Sequence, residues 1–219
     1  MAIVIIAAAA VQLSASISTA TKLGRDVPTT IANFFSFFTV LSNVAAAVVL
    51  LWAAAVTLRN GRKPESHTRE SAALGVAIAA VTTFMIITGV VYNVLLRGVE
   101  LPQGSEPVPW SNEVLHLVAP LFMLLDLLLV RSRRRLTWSA LWAVLAFPVA
   151  WATYTLVRGP LVTNPATAQP YWYPYPFLDP NGPGGWGSVA VYVAAITAVF
   201  VAVGAGVVAW KRRAARKHP

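Results

Sequence analysis

Cysteine is absent from this 219-residue chain, which excludes disulfides and thiolate metal sites and leaves the redox compartment open. Charge is scarce as well: Asp, Glu, Lys and Arg together make up 11% of the residues, against about 25% in soluble domains. A soluble surface of this area needs many more ionised side chains, so the composition argues against an ordinary soluble enzyme. A hydrophobic fraction of 57% excludes a disordered chain. The three histidines, His67, His116 and His218, are scattered and give no zinc-ligand set. No metal and no cofactor is therefore expected.

What the chain has instead is apolar length. A bilayer-spanning helix needs about 20 mostly apolar residues. Six segments qualify, at 2–20, 32–57, 73–96, 112–130, 138–157 and 187–209. The expectation is an all-α integral membrane protein, a single transmembrane domain over 1–219 with six transmembrane helices. No Lys or Arg precedes Lys22, so the first run lacks the cationic start of a cleaved signal and reads as a span, although Ser14-Ala15-Ser16 is small enough to imitate a cleavage site.

The formal charge of +9 falls in clusters between the apolar runs. Arg59, Arg62, Lys63 and Arg69 follow the second run. Arg131, Arg133, Arg134 and Arg135 follow the fourth, and Lys211, Arg212, Arg213, Arg216 and Lys217 follow the sixth. The opposite face holds Lys22, Arg25, Arg97 and Arg158. This asymmetry predicts that both termini are cytoplasmic. The clusters suit anionic lipid headgroups. No continuous basic surface is visible, so the bilayer is the expected partner and nucleic acid is not. The oligomeric state is left open.

The outer segment 158–186 contains seven prolines interleaved with Tyr171, Trp172, Tyr173, Tyr175 and Phe177. Alternating Pro and aromatic residues predict an extended, rigid stretch at the membrane interface. A loop of this length is either a lid over a site or an interfacial belt without chemistry.

Polar groups inside a span are costly and mark functional sites. In the second run Ser36, Thr39 and Asn43 fall on one helical face. In the fourth, His116 is the only histidine within a span, with Asn112 and Glu113 close enough along the helix to reach its ring. Thr39 lies about 10 Å in from Ala32 and His116 about 6 Å in from Asn112 at the helical rise. The two side chains are then level beneath the outer interface, with Tyr92, Asn93 and Tyr154 at a similar depth. A hydroxyl becomes a nucleophile when a base takes its proton, and neutral histidine is the usual base. Thr39 and His116 form such a pair, for attack on an acyl carbonyl. Substrate-binding or oxyanion candidates are Ser36, Asn43, Asn93, Asn112 and Tyr154, and nothing in the sequence chooses among them. The structural alternative is that Thr39 bonds its own backbone or glues helices together. Asp126 reads as structural, a partner for Arg131 or Asn43. Pro120 and Pro148 lie inside spans.

Three segments in order carry a family resemblance: Phe37-Phe38-Thr39-Val40-Leu41-Ser42-Asn43; Asn112-Glu113-Val114-Leu115-His116 followed by Pro120; and Tyr173-Pro174-Tyr175-Pro176-Phe177-Leu178-Asp179 with Gly182-Pro183-Gly184. Together they resemble the family of androgen-induced and androgen-dependent TFPI-regulating membrane proteins, over nearly the whole chain. The resemblance implies an integral-membrane threonine hydrolase with Thr39 as nucleophile and His116 beside it. The animal members cleave fatty acid esters of hydroxy fatty acids, so a lipid ester is the implied substrate. Its free carboxylate would be held by Arg97, Lys22, Arg25 or Arg158. Ala and Val enrichment points to a bacterial cytoplasmic membrane, with the site near the outer leaflet. The rival readings are a lipid-binding or transport protein without catalysis, and a scaffold. No inverted repeat relates 1–105 to 106–219.

The orientation is open to a direct check. Green fluorescent protein fused to the C-terminus is expected to fluoresce and alkaline phosphatase in its place to stay inactive; the reverse pattern refutes cytoplasmic termini.

Overall fold

Hydrocarbon offers no hydrogen bonds, so a long apolar segment closes its backbone bonds internally, as helix. The computed structural model describes residues 1–60, 71–102, 104–130 and 135–214. Of the residues singled out above, Arg62, Lys63, His67, Arg69, Arg131, Arg133, Arg134, Arg216, Lys217 and His218 lie outside the described residues.

Among the described residues the chain is all helix and connections, without a strand. The helices are α1 (Ala2–Lys22), α2 (Val27–Phe34), α3 (Phe38–Asn60), α4 (Ala72–Val91), α5 (Pro109–Glu113), α6 (Ala119–Leu129), α7 (Ala140–Arg158) and α8 (Gly185–Ala214). A π turn, Tyr92–Leu96, extends α4, and another, Val114–Val118, joins α5 to α6. Six helical stretches are long and apolar enough to cross a membrane: Ala2–Lys22, Phe38–Arg59, Ala72–Leu96, Pro109–Leu129, Ala140–Leu161 and Gly185–Arg213. They correspond to the six apolar runs.

The second run is not one helix. Asp26 caps α2, its carboxylate accepting the Thr29 N–H at 2.7 Å, with Pro28 in the first turn. α2 ends at Phe34. The Ser36 hydroxyl then bonds back to the Ala32 carbonyl at 2.8 Å. The Ser36 carbonyl accepts from the Trp151 indole at 3.0 Å and so leaves the helical ladder. α3 restarts at Phe38. Ser36 therefore sits in a connection, and of the expected stripe only Thr39 and Asn43 share a helix.

α4 is the central helix. Of its span 56% is buried inside the protein, against 22–33% for the other five. It packs against α3, α6, α7 and α8, while α1 packs on α2, α3 and α5. Small residues let these helices close up: a Cβ on Gly204 of α8 would stand 3.0 Å from Leu141, and one on Gly89 of α4 would stand 2.9 Å from Pro120.

Part of the Pro/aromatic segment packs into the helix bundle. It folds inward as a strap, with Trp172, Tyr173, Pro174, Tyr175 and Leu178 buried. The Trp172 N–H donates to the Gly159 carbonyl at 2.9 Å and its indole to the Pro102 carbonyl at 3.1 Å. The Tyr173 ring lies directly on Gly159, where a Cβ would collide with it. Prolines suit this path because they leave few N–H groups to satisfy in an apolar setting.

Gly159→Ala is expected to force the Tyr173 ring off its seat and cost about 1–3 kcal/mol, as overpacking does. Thermal unfolding in detergent measures it; Gly187→Ala, where a Cβ meets nothing within 4 Å, is the neutral control.

Candidate functional site

The break before α3 leaves the amides of its first turn without carbonyls one turn back. Thr39 is in that turn, 9% exposed. The Thr39 N–H donates to the Tyr175 hydroxyl at 3.4 Å, and the same hydroxyl is in hydrogen-bonding reach of the Thr39 side chain and the Phe38 N–H. Tyr175 thus reaches from the strap down to the start of a membrane helix. Its ring is held edge-on by Phe37 at 5.5 Å and stacked on Phe177 at 5.1 Å between centroids. Burial pushes the Tyr175 phenol above its ordinary value, so it stays protonated and remains a donor.

His116 is placed by a different device. It sits in the π turn Val114–Val118, in which the Ala119 N–H reaches back to the Val114 carbonyl. The next donor in register, five residues beyond Leu115 and four beyond His116, is Pro120, which has no N–H. Two asparagines fill the vacancy. Asn43 Nδ2 donates to the Leu115 carbonyl at 3.1 Å and to the Thr39 carbonyl at 2.9 Å. Asn93 Nδ2 donates to the His116 carbonyl at 3.1 Å and to the Gly89 carbonyl at 2.7 Å. Asn43 thereby ties the backbone of Thr39 to that of Leu115, and the segments that carry Thr39 and His116 are neighbours.

The imidazole itself is held on two sides. His116 Nδ1 is 2.9 Å from the Asn112 carbonyl, a bond that makes Nδ1 the protonated nitrogen of the neutral ring. The ring stacks on Tyr92 at 3.7 Å with 22° between planes. Nε2 has no hydrogen-bond partner among the described residues. Around the pair runs a polar network. The Asn112 side chain donates to the Tyr92 hydroxyl at 2.6 Å, and Arg97 bonds Glu113 at 2.9 and 3.1 Å and Asn93 Oδ1 at 3.0 Å. Neither the Asn112 side chain nor Glu113 bonds the imidazole; it is the Asn112 backbone that does.

A cavity of about 290 Å³ opens beside Thr39, walled by α3, α4, α7, α8 and the strap. Its lining is apolar apart from the side chains of Thr39, Thr88, Tyr92, Thr153, Tyr175 and Thr197 and the Trp151 indole, and among the described residues no charged side chain faces it. Val149, Thr153 and Thr197 line it and are also exposed, Val149 at 58%, so the cavity reaches the lipid-facing gap between α7 and α8.

Thr39 is therefore at the cavity wall and His116 is not; Tyr92, which is at the wall, is the residue stacked on the imidazole. No hydrogen bond joins the Thr39 hydroxyl to His116 among the described residues. The other sequence candidates are outside the cavity wall: Ser36 pairs with Tyr154 at 3.2 Å, Asn112 serves Tyr92, and Asn43 and Asn93 serve backbone carbonyls. Asn43 Nδ2 is engaged on carbonyls rather than on Asp126, and Arg131, the other expected partner, lies outside the described residues. The sequence reading missed Tyr175 and Thr88. The signal for Tyr175 was present in the alternation Tyr173-Pro174-Tyr175-Pro176. Thr88, whose hydroxyl pairs with Ser42 at 2.9 Å, carried none.

Compared with known proteins, the chain matches no family model, no curated protein and no solved structure.

Asn43→Ala is expected to leave the Leu115 carbonyl unsatisfied in the interior, at a cost of about 1–3 kcal/mol. Asn93→Ala, at an exposed position, costs less. Parallel melts of the two variants in detergent give the ranking, and equal losses refute it.

Proposed function

We propose that the protein is an intramembrane hydrolase of lipid esters in which Thr39 is the nucleophile and His116 its base. The observation that carries this reading is the Thr39 hydroxyl in the first turn of a helix, at the wall of an apolar cavity. The positive end of the helix favours negative charge developing there. The Nδ1 bond to the Asn112 carbonyl supports the base role, because it leaves Nε2 as the proton acceptor. The motif resemblance to the threonine hydrolases supports it independently.

The chemistry is acyl transfer. Thr39 Oγ1 attacks the ester carbonyl carbon, its proton passes to His116 Nε2, and the carbonyl electron pair moves onto oxygen. Collapse of this intermediate breaks the bond to the alkoxy oxygen, which leaves as the alcohol with the proton from His116. Water, deprotonated by the same imidazole, attacks the acyl-threonine and releases the acid and Thr39. Proton transfer requires the Tyr92 ring to turn aside or a water to bridge past it, since Tyr92 forms the cavity wall and covers His116.

The apolar lining suits an acyl chain, and the gap between α7 and α8 suits entry from the bilayer. A branched fatty ester keeps its carboxylate at the rim, where the Arg97 guanidinium stands 5.4 Å from the Tyr92 ring centroid and would exchange part of its pairing with Glu113 to hold it. Of the other cations first considered, Arg158 donates to Asn33 at 2.7 Å and Arg25 to the Gly104 carbonyl at 3.4 Å. The site lies near the outer leaflet of a bacterial cytoplasmic membrane in this reading.

A non-catalytic lipid-binding or transport protein is the second reading, favoured by the missing bond between Thr39 and the imidazole. Purified protein assayed on a fatty ester of a hydroxy fatty acid separates the two. Thr39→Ala and His116→Ala are each expected to lower kcat by at least about a hundredfold. A fluorophosphonate is expected to label the wild type at Thr39 and not Thr39→Ala. Unchanged turnover in both variants, or a protein that forms no adduct, refutes the hydrolase.

A further inference from the structure

Ester hydrolysis needs a donor for the oxygen that becomes an oxyanion. The amides and hydroxyls expected to supply it are engaged elsewhere and lie outside the cavity wall. Asn43 and Asn93 hold the carbonyls freed by Pro120, Ser36 bonds Ala32 and Tyr154, and the Asn112 side chain bonds Tyr92. Thr88 is paired with Ser42. Of the two phenols at the cavity wall, Tyr92 and Tyr175, the one bonded to the nucleophile's own turn comes from the strap.

We propose that Tyr175 is a catalytic residue of this reaction: its phenol O–H, together with the N–H groups of Phe38 and Thr39, receives the carbonyl oxygen as it becomes an oxyanion. The proposal rests on the reading of Thr39 as nucleophile. Tyr175 lines the same cavity as Thr39 and is 4% exposed, so its dipole acts without competition from water. Its hydroxyl oxygen sits where the first-turn amides converge, accepting from Thr39 N–H at 3.4 Å, which is long for such a bond. A carbonyl oxygen arriving there is a better acceptor than a neutral phenol and takes both amide protons and the phenol proton. A carbonyl carbon within reach of Thr39 Oγ1 carries its oxygen to this spot. No proton leaves Tyr175 in the step: it donates a hydrogen bond to the oxyanion and keeps its proton when the intermediate collapses. Packing fixes the hydroxyl in advance, through Phe37, Phe177 and Trp151 around the ring and through Trp172 anchoring the strap to Gly159 and Pro102. Only the Thr39 amide changes acceptor, from the phenol oxygen to the incoming carbonyl oxygen.

The test is steady-state hydrolysis of the fatty ester by full-length protein in detergent or nanodiscs. Tyr175→Phe keeps the ring and removes the donor. Its kcat is expected to fall by about 10²–10³, with KM within about threefold of wild type and a melting temperature lowered only as loss of the one hydrogen bond to Thr39 N–H requires. Tyr173→Phe, which removes a hydroxyl from the same strap away from the cavity, is expected to keep full activity. A ring-fluorinated tyrosine at position 175 keeps the hydroxyl and makes it more acidic. It is expected to move the alkaline limb of the kcat profile to lower pH, because the ionised phenolate cannot donate; this variant decides the matter should Tyr175→Phe not fold. Wild-type kcat in Tyr175→Phe, or an unmoved alkaline limb, overturns the role of Tyr175, and if Thr39→Ala is inactive in the same assay the hydrolase reading survives that loss. Absence of both turnover and a Thr39 adduct in the wild type overturns the two together.

Discussion

Pro120 offers no N–H, and the surrounding hydrocarbon offers none in its place. From that deficit much of the site follows. The carbonyls of Leu115 and His116 must be satisfied from outside their own helix, and Asn43 and Asn93 do it from two different helices. An amide side chain in an apolar span is expensive unless its hydrogen bonds are made. Here the Nδ2 groups of the asparagines meet the carbonyls the proline leaves open, while Asn43 Oδ1 stays buried without a partner among the described residues. The arrangement also fixes position: Asn43 bonds Thr39 and Leu115 at once, so the start of α3 and the turn carrying His116 are held in one place.

The spans were legible because about 20 uninterrupted apolar residues leave a chain few choices. The break at Ser36 was not. Its cause is the Trp151 indole, more than a hundred residues away, taking a carbonyl that a continuous helix would have used. The significance of Asn43 and Asn93 was misread for a related reason. Inside a membrane a polar side chain invites a chemical interpretation, yet a proline elsewhere in the fold creates a structural demand for the same group. Asn43 bonds the backbone of both Thr39 and Leu115, but the rotamer that stacks His116 on Tyr92 depends on packing that no spacing rule encodes. The strap was expected at the interface because prolines and tyrosines suit it. Its inward course follows from Gly159, whose missing side chain gives the Tyr173 ring a seat.

The cavity is lined by neutral groups only, among the described residues, and that bears on any chemistry done there. Neutral donors held rigidly in an apolar setting stabilise developing charge well, because the water that would weaken them is excluded. A permanent cation in the wall would instead bind the carboxylate products of ester cleavage. Arg97 is kept out of the wall by Glu113 and Asn93. The division between an uncharged chamber and a charged rim suits ligands with one apolar arm and one ionised end.

The contact between Thr39 and Tyr175 spans 136 residues of sequence. A ribosome adding about 5–20 residues per second makes the second partner roughly 7–27 s after the first. Through that interval the opening turn of α3 resides in the bilayer without its phenol cap, and the chamber has neither its fourth wall nor its roof. This corner is therefore completed only after the five spans that precede Tyr175 have been made. A nascent chain thus carries the Thr39 hydroxyl long before it carries the phenol that bonds its turn.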